Sequence, residues 1–243
     1  KHMVKLSKRL SHLADMVSEN SILADVGTDH GYIPVCLVQT NKIAKAFAMD
    51  IKKGPLLRAK EHIETYGLGD YITTRLSDGV AALLEGEADS ILIAGMGGGV
   101  TLHILQDGEA VITSAKELIL QPQSDIAKVR EYIYRKGYVI DREDMVFEDG
   151  KYYPMMHVDL TKQLTKPEQD RYLSEDGQVL CRYGECLLRD KNEVLHRFLQ
   201  HTISQQEQIL LKLSKTEQTE AVILRIGQIE EKLACAKLAL AYF

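Results

Sequence analysis

The chain has 243 residues, with 30 Lys and Arg against 35 Asp and Glu and a formal net charge of −5. That length suits one α/β domain of ordinary size plus something smaller, and the mild negative charge argues against a surface coated in basic side chains while leaving local basic patches open. No apolar run approaches the roughly 20 residues that span a bilayer, and Cys36, Cys181, Cys186 and Cys235 are scattered without a C-x-x-C spacing, so no membrane helix, zinc site or disulfide framework is expected.

A soluble, cytoplasmic protein with reduced thiols and no metal follows as the expectation. Lys1, His2 and Met3 read as the remnant of an expression tag, so the native reading starts at Met3. The opening KLSKRLSHLADMV sets Leu6, Leu10, Leu13 and Val17 on one helical face with Lys5, Lys8 and Arg9 beside it, either as a solvated helix end or as phosphate ligands. The stretch ILADVGTDHGYIP, residues 22 to 34, then reads as strand, tight turn and helix start. Ile22 to Val26 has the composition of a fully buried parallel strand, with Asp25 at its carboxyl end. Gly27 and Gly31 flank Thr28, Asp29 and His30, and glycine serves where a chain reverses and lets a ligand approach its backbone. In open α/β sheets such ligands bind outside the carboxyl ends of the strands. The spacing departs from the dinucleotide fingerprint, because Asp29 stands where a second glycine would admit a pyrophosphate. A carboxylate there suits a cationic ligand. The spacing of Asp25, Gly27 and Gly31 resembles the first motif of class I S-adenosylmethionine-dependent methyltransferases, whose cofactor carries a sulfonium and an ammonium and no phosphate. A ligand-free glycine turn is the bland alternative.

Tyr32 to Val38 reads as the first sheet-packing helix, with Pro34 in its opening turn. IAKAFAMD, residues 43 to 50, is a second strand ending in Asp50, at the distance where Rossmann-like domains put an acid on the ribose hydroxyls. A helix over Lys53 to Tyr66 closes at Gly67. YITTRLSDG, residues 71 to 79, is a third strand ending in Ser77, Asp78 and Gly79, where the same methyltransferases place an acid or amide against the adenine ring; ordinary turn chemistry is the alternative. The fourth strand, DSILIAGMGGG, runs into Gly95, Met96, Gly97, Gly98 and Gly99, a stretch with little side-chain wall, followed by a helix over Thr101 to Gln106. ELILQP, residues 117 to 122, is strand five, and Ser124 is expected to cap a helix that runs to Arg135 and ends at Gly137. Residues 138 to 160 read as two strands joined by Asp149 and Gly150, a strong hairpin signal. Five βα units and a hairpin carry one reversed strand, which an all-parallel flavodoxin-like or NAD-binding sheet lacks.

From Lys162 the texture changes. Thr165 and Glu168 make a capping box around Pro167, starting a helix expected to end near Gly177. Beyond Gly184, Leu188, Asn192, Leu195, Leu199, Thr202, Gln206, Ile209 and Leu213 recur at steps of four and three, as do Val222, Ile226, Ile229, Leu233, Ala236 and Leu240. Ser214 and Glu217 read as another capping box, so two helices should reverse there and pair antiparallel as a coiled hairpin of about 40 Å. Asn192, Thr202 and Gln206 are polar intrusions in the first seam. The basic residues of the hairpin, among them Arg182, Arg197, Lys212, Lys232 and Lys237, are interspersed with acids, and either a tRNA-holding surface, an ordinary solvated bundle or a dimer seam fits them.

The segments KLSKRL, ADVGTDHGYIP, IAGMGGG and LILQP, in that order and spacing, resemble the bacterial tRNA (adenine-22-N1)-methyltransferase family over roughly residues 4 to 160, with a helical extension that agrees. The resemblance implies a Rossmann-like seven-stranded class I methyltransferase sheet over 3–162 and a C-terminal α-helical coiled-coil hairpin domain over 163–243. It implies S-adenosyl-L-methionine as cofactor, a tRNA substrate and methyl transfer to N1 of adenine in the D-arm region. Cofactor-binding residues are then Asp25, Gly27, Asp29, Gly31, Asp50, Ser77, Asp78, Gly79, Gly95, Met96, Gly97 and Gly98. Gln123 departs from the family, which carries asparagine after the L-Q-P run. Adenine N1 is itself nucleophilic, so the site must chiefly supply proximity in a dry pocket. Asp29 is the candidate for stabilising the charge that methylation puts on the ring, with His30 and Tyr32 as neighbours that orient or stack. A methyltransferase acting on another RNA or a small molecule, and a non-catalytic RNA-binding scaffold, remain alternatives. Monomer and homodimer are equally open.

Overall fold

The computed structural model describes residues 2–243; Lys1, read above as part of a tag remnant, lies outside them. A first helix α1 (Lys8–Met16) precedes five strands, four of them followed by helices: β1 (Ile22–Val26), α2 (Tyr32–Gln39), β2 (Lys45–Asp50), α3 (Lys53–Thr65), β3 (Ile72–Leu76), β4 (Ser90–Met96), α4 (Gly98–Asp107), α5 (Glu109–Ser114), β5 (Glu117–Pro122) and α6 (Ile126–Arg135); β3 leads to β4 through turns alone, so the expected five βα units are four. A hairpin of β6 (Val139–Glu148) and β7 (Lys151–Asp159) follows, then α7 (Lys166–Leu173), α8 (Gln178–Tyr183), α9 (Glu185–Arg189), α10 (Glu193–Leu213) and α11 (Glu220–Leu240). The seven strands form one sheet in the order β3-β2-β1-β4-β5-β7-β6, in which β7 runs antiparallel to both neighbours. This is the expected seven-stranded α/β sheet with its one reversed strand.

Alternation along the strands sorts the core into two layers. Ala24, Val26, Ile91, Ile93, Leu118 and Leu120 face α4 to α6, with Ile104, Leu105, Val129 and Ile133. Leu23, Leu92 and Ile119 face the opposite side with Leu13, Val17, Ile33 and Ile63 of α1 to α3. A third cluster joins Met145 of β6 to Leu187, Leu195, Leu199, Ala236 and Ala239 of the C-terminal helices. The start of α10 thus meets the end of α11, which makes the two helices an antiparallel hairpin. Asp149 (φ 49°) and Gly150 (φ 76°) take the paired left-handed conformations of a tight turn between β6 and β7. The capping box at Thr165 and Glu168 is present as read.

Several local expectations are corrected. Ser124 does not cap α6: Asp125 does so in a left-handed conformation, and the Ser124 hydroxyl accepts the Gly98 N–H at 3.1 Å. Gly98 and Gly99 form the first turn of α4 instead of an open loop, and α5 was not anticipated. The helix from Thr165 stops at Leu173, and Gly177 starts the next one. Asn192 is the N-cap of α10, its side chain accepting from Val194 and Leu195 N–H groups, so the seam begins at Leu195. Thr219, not Ser214, caps α11, and Ser214 closes α10. Each long helix has 21 residues, which is about 30 Å. Thr202 and Gln206 lie buried in the seam as read.

Candidate active site

Reversal of strand order on either side of β1 leaves a crevice at the carboxyl ends of β1 and β4, where no connection crosses over. Its cavity, about 210 Å3, is lined by Arg9, Asp25, Gly27, Asp29, Tyr32 and Ala94, among others. The loop after β1 is fixed by its own backbone: the N–H groups of Gly27 and Thr28 both donate to the Met49 carbonyl, at 2.8 and 2.9 Å. That bond brings the loop beside Asp50. Gly27 (φ 76°) and Gly31 (φ 67°) need the left-handed region, and a Cβ on Gly27 would overlap the Met96 side chain. Gly27 and Met96, far apart in the chain, therefore pack against each other.

The two acids at this end are unlike. Asp25 is buried, accepts from Thr28 Oγ1 at 2.7 Å and forms no ion pair among the described residues. Burial pushes its carboxyl up to about 7, against the Thr28 hydrogen bond and with help from the charge of Asp50. Asp29 is a surface carboxylate at φ 51°, held by Arg58 Nη2 at 3.0 Å. Of the other candidates, Tyr32 stacks on His30 with ring centroids 5.1 Å apart and meets His62 edge-on at 5.0 Å. His62 Nδ1 also donates to the His30 carbonyl at 2.8 Å. His30 does not line the crevice itself.

Asp50 is buried, with Oδ1 taking the Lys52 N–H at 2.9 Å, and its carbonyl accepts the Ser77 N–H at 2.9 Å. Asp50 and Ser77 are therefore neighbours. The Ser77 hydroxyl is engaged inside its own turn, donating to Gly79 O at 2.8 Å and accepting from Ala82 N–H at 3.0 Å, while Asp78 is exposed. Gly95 (φ 76°) is open, its nearest neighbours being Arg9 and Gln123. Gly97 precedes α4 as its cap, and Gly98 is crowded by the Ser124 carbonyl, so protein packing demands that glycine.

The bases of the first helix part company. Lys5 and Lys8 are exposed, whereas Arg9 enters the crevice, donates to Gln121 Oε1 at 2.9 Å and lies 5.3 Å over the Tyr153 ring. Contacts to the β6–β7 hairpin hold α1 there, through His12 to Asp144, Lys8 N–H to Glu148 Oε1 and Arg142 to the Met16 carbonyl. Thr28, Arg58, His62, Gln121 and Tyr153 were not singled out from the sequence. Arg9 was read only with Lys5 and Lys8 as one of three bases beside the apolar stripe, with a solvated helix end and a phosphate ligand as the alternatives.

A methyltransferase-domain family matches residues 6–156. A Bacillus subtilis (strain 168) protein named tRNA (adenine(22)-N(1))-methyltransferase is 36% identical over 237 residues, 95% of this chain and 96% of that one. The chain belongs to the tRNA (adenine(22)-N(1))-methyltransferase family. The crystal structure of the Bacillus subtilis tRNA methyltransferase TrmK superposes with a TM-score of 0.83 at 30% identity, covering 98% of this chain and 99% of that one. A Streptococcus pneumoniae member of this group, solved in complex with S-adenosyl-L-methionine, gives a TM-score of 0.82 at 30% identity and covers 97% and 100%. The likeness thus extends over the C-terminal helices, beyond the residues that the methyltransferase-domain family matches. Among the described residues no helix is long and apolar enough to cross a membrane, and no cluster of His, Cys, Asp and Glu could hold a metal ion.

Proposed function

We propose that this protein transfers a methyl group from S-adenosyl-L-methionine to N1 of adenine 22 in the D-arm region of tRNA, and that it does so in the cytoplasm. What carries the reading is the meeting of Asp25, Asp29, Tyr32 and Arg9 in one crevice, within a fold that matches tRNA methyltransferases end to end.

The residues fit that cofactor. A buried carboxyl without a partner cation, Asp25, suits an ammonium or sulfonium, and the left-handed turns at Gly27 and Gly31 hold the loop that carries Thr28 and Asp29 at the rim of the same cavity. Asp50 is assigned to the ribose hydroxyls, Ser77, Asp78 and Gly79 to the adenine side, and Gly95 to Gly98 with Met96 to the wall opposite Gly27. When bound, S-adenosyl-L-methionine supplies an electrophilic methyl group. The lone pair of adenine N1 needs no base to become nucleophilic, so the protein's work is to hold the extruded base in line and dry. Tyr32 offers a ring to that base. Asp29, oriented by Arg58, stabilises the positive charge that appears on the ring and accepts the N6 proton afterwards. Arg9, steadied by Gln121 and Tyr153, takes a phosphate at the mouth of the crevice.

Residues 3–162 are assigned to cofactor binding and chemistry, and residues 163–243 to holding the body of the tRNA. The test is methylation of unmodified tRNA with labelled cofactor, followed by nucleoside mapping. Label in 1-methyladenosine at position 22, lost when that adenine is replaced by guanine, is the expected result; label elsewhere or on no RNA rejects the assignment.

A further inference from the structure

A groove runs from the carboxyl end of β5 toward the C-terminal helices, beside the crevice of Asp29. Its near end, about 420 Å3, is walled by Gln123, Tyr152, Tyr153 and Phe198. Its far end, about 510 Å3, shares Ile126, Tyr152, Pro154 and Phe198 with the near end and continues under Arg182 and Lys232.

Charge and shape define what the groove can take. In a chain of net charge −5, its charged lining is Lys128, Arg130, Lys151, Arg182 and Lys232 against Asp125; Lys128 is paired with Asp125 at 3.5 Å and Arg130 with the buried Glu143 at 2.8 Å, which leaves Lys151, Arg182 and Lys232 without an ion-pair partner among the described residues. Arg130 is 1% exposed, reaches the same lining, and keeps an Nη2 without a hydrogen-bond partner. One wall is the first turn of α6, whose cap makes no side-chain hydrogen bond, so backbone N–H groups at the positive end of the helix dipole stay free. The facing wall is aromatic, with the rings of Tyr152 and Phe198 5.0 Å apart.

Resting on the tRNA reading above, we infer that this groove binds the nucleotide next to the target adenosine, with its phosphate at the α6 N-terminus, Arg182 and Lys232 and its base against Tyr152 and Phe198. Fixed N–H groups and unpaired cations favour a phosphate, and any base has a face that stacks on an aromatic ring. The groove is also tied to the crevice. Gln123 N–H donates to Met96 O at 2.8 Å and Gly98 N–H to Ser124 Oγ at 3.1 Å, so the segment leading into α6 forms the sill between the two. A strand that feeds one base into the crevice passes over that sill.

The experiment compares wild type, the double variant Arg182→Glu with Lys232→Glu, Phe198→Ala, and Lys60→Glu as an exposed control for net charge. Affinity for tRNA is read by fluorescence anisotropy across salt concentrations, with steady-state kinetics, calorimetry of S-adenosylhomocysteine, an AMP titration and a melting curve for each variant. Arg182 and Lys232 are exposed, so the double variant keeps the test alive should Phe198→Ala fail to fold. The double variant is expected to bind tRNA at least tenfold more weakly, with a log–log salt slope smaller by about one to two and an elevated KM, while S-adenosylhomocysteine affinity stays at the wild-type value. Phe198→Ala is expected to raise KM and leave the salt slope alone. Wild-type KM and slope in the double variant overturn the inference. So does AMP that binds in this groove without displacing tRNA, since it assigns the groove to a free nucleotide. A wild-type protein that methylates no tRNA fails the functional reading instead, and that result is separate.

Discussion

Asp25 is buried at the point where a cationic ligand is expected, and its carboxyl is pushed up to about 7, first by burial, against the Thr28 hydrogen bond, and further by the charge of Asp50. An arriving cation favours the ionised form, so cofactor binding expels a proton in neutral solution. The sign follows. Affinity should be flat well above pH 7 and fall by up to about tenfold for each pH unit below it. Calorimetry in buffers of different ionisation enthalpy will report the proton, and Asp25→Asn should abolish the buffer dependence; a wild-type enthalpy that ignores the buffer defeats the idea. Asp29 lies in the same cavity, yet the role proposed for it is tied to charge that exists only during transfer. Asp29→Asn is expected to lower kcat on the order of 10²-fold with little change in cofactor affinity. Equal losses in both would reassign Asp29 to cofactor binding.

At the scale of elements, the amino end of the sheet is locked by a buried ionic cluster. His157 of β7 bridges Glu117 of β5 and Asp141 of β6, at 2.5 Å on each ring nitrogen, and Glu117 also accepts from Ser90 of β4 and from Ser18 just after α1. Burial opposes both ions, but hydrogen bonds from His157, Ser90 and Ser18 hold Glu117 down at about 2, and those to Glu117 and Asp141 raise His157 above 6.5. For Glu117, with a lowered folded value, the contribution is present above 4.5 and is lost as pH falls toward 2; for His157, with a raised one, it is complete below 6.5 and is lost as pH rises through the folded value. Melting temperature should therefore decline as pH climbs beyond 6.5, and His157→Gln should flatten that decline; an unchanged pH profile in the variant would dismiss the cluster as a source of stability. The β4 to α4 junction offers a second test. Alanine is better than glycine inside a helix by about 1 kcal/mol, and a Cβ on Gly99 would meet nothing within 4 Å, so Gly99→Ala should be neutral or stabilising. A Cβ on Gly98 would overlap the Ser124 carbonyl, and Gly98→Ala is expected to cost about 1–3 kcal/mol in urea unfolding. Equal midpoints for the two variants contradict this.

Across the whole molecule, the C-terminal helices are joined to the sheet by a buried ion pair as well as by apolar packing. Arg130 of α6 donates Nε to Glu143 of β6 at 2.8 Å and Nη1 to the carbonyls of Cys181 and Arg182, while Cys186 N–H donates to Glu143 at 3.1 Å. Both side chains are sealed, 1% and 0% exposed. Removing one partner strands the other charge. Glu143→Leu should destabilise by about 3–5 kcal/mol, and adding Arg130→Met should recover part of that loss in chemical denaturation. No recovery would mean that the cost lies in packing alone. By the same contacts, deleting residues 180–243 removes the carbonyls that satisfy Arg130, so that truncation should yield an unstable sheet and is a poor probe of tRNA binding.

Much of this architecture was legible because it is written locally. Continuous apolar runs at Ile91 to Ala94 and Leu118 to Leu120 mark strands buried on both faces, Asp149 and Gly150 set a hairpin turn by their own φ angles, and Thr165 with Glu168 caps a helix within four residues. The resemblance carried by residues 4 to 160 also foretold the sheet, its reversed strand and the family. Where several local signals competed, packing chose among them: Asp125 over Ser124 as cap of α6, Thr219 over Ser214 at α11, and a cap instead of a seam position for Asn192. What no local pattern held was the pairing of distant residues. Arg9 meets Gln121 from 112 positions away, Ser18 meets Glu117 from 99, and His157 meets Glu117 from 40. Short-range spacing determines which element forms and which face it buries, because those depend on backbone geometry a few residues wide. Only the folded sheet decided which side chains share a crevice, a groove or a buried ion cluster, because strand order brings together segments whose separation along the chain carries no signal.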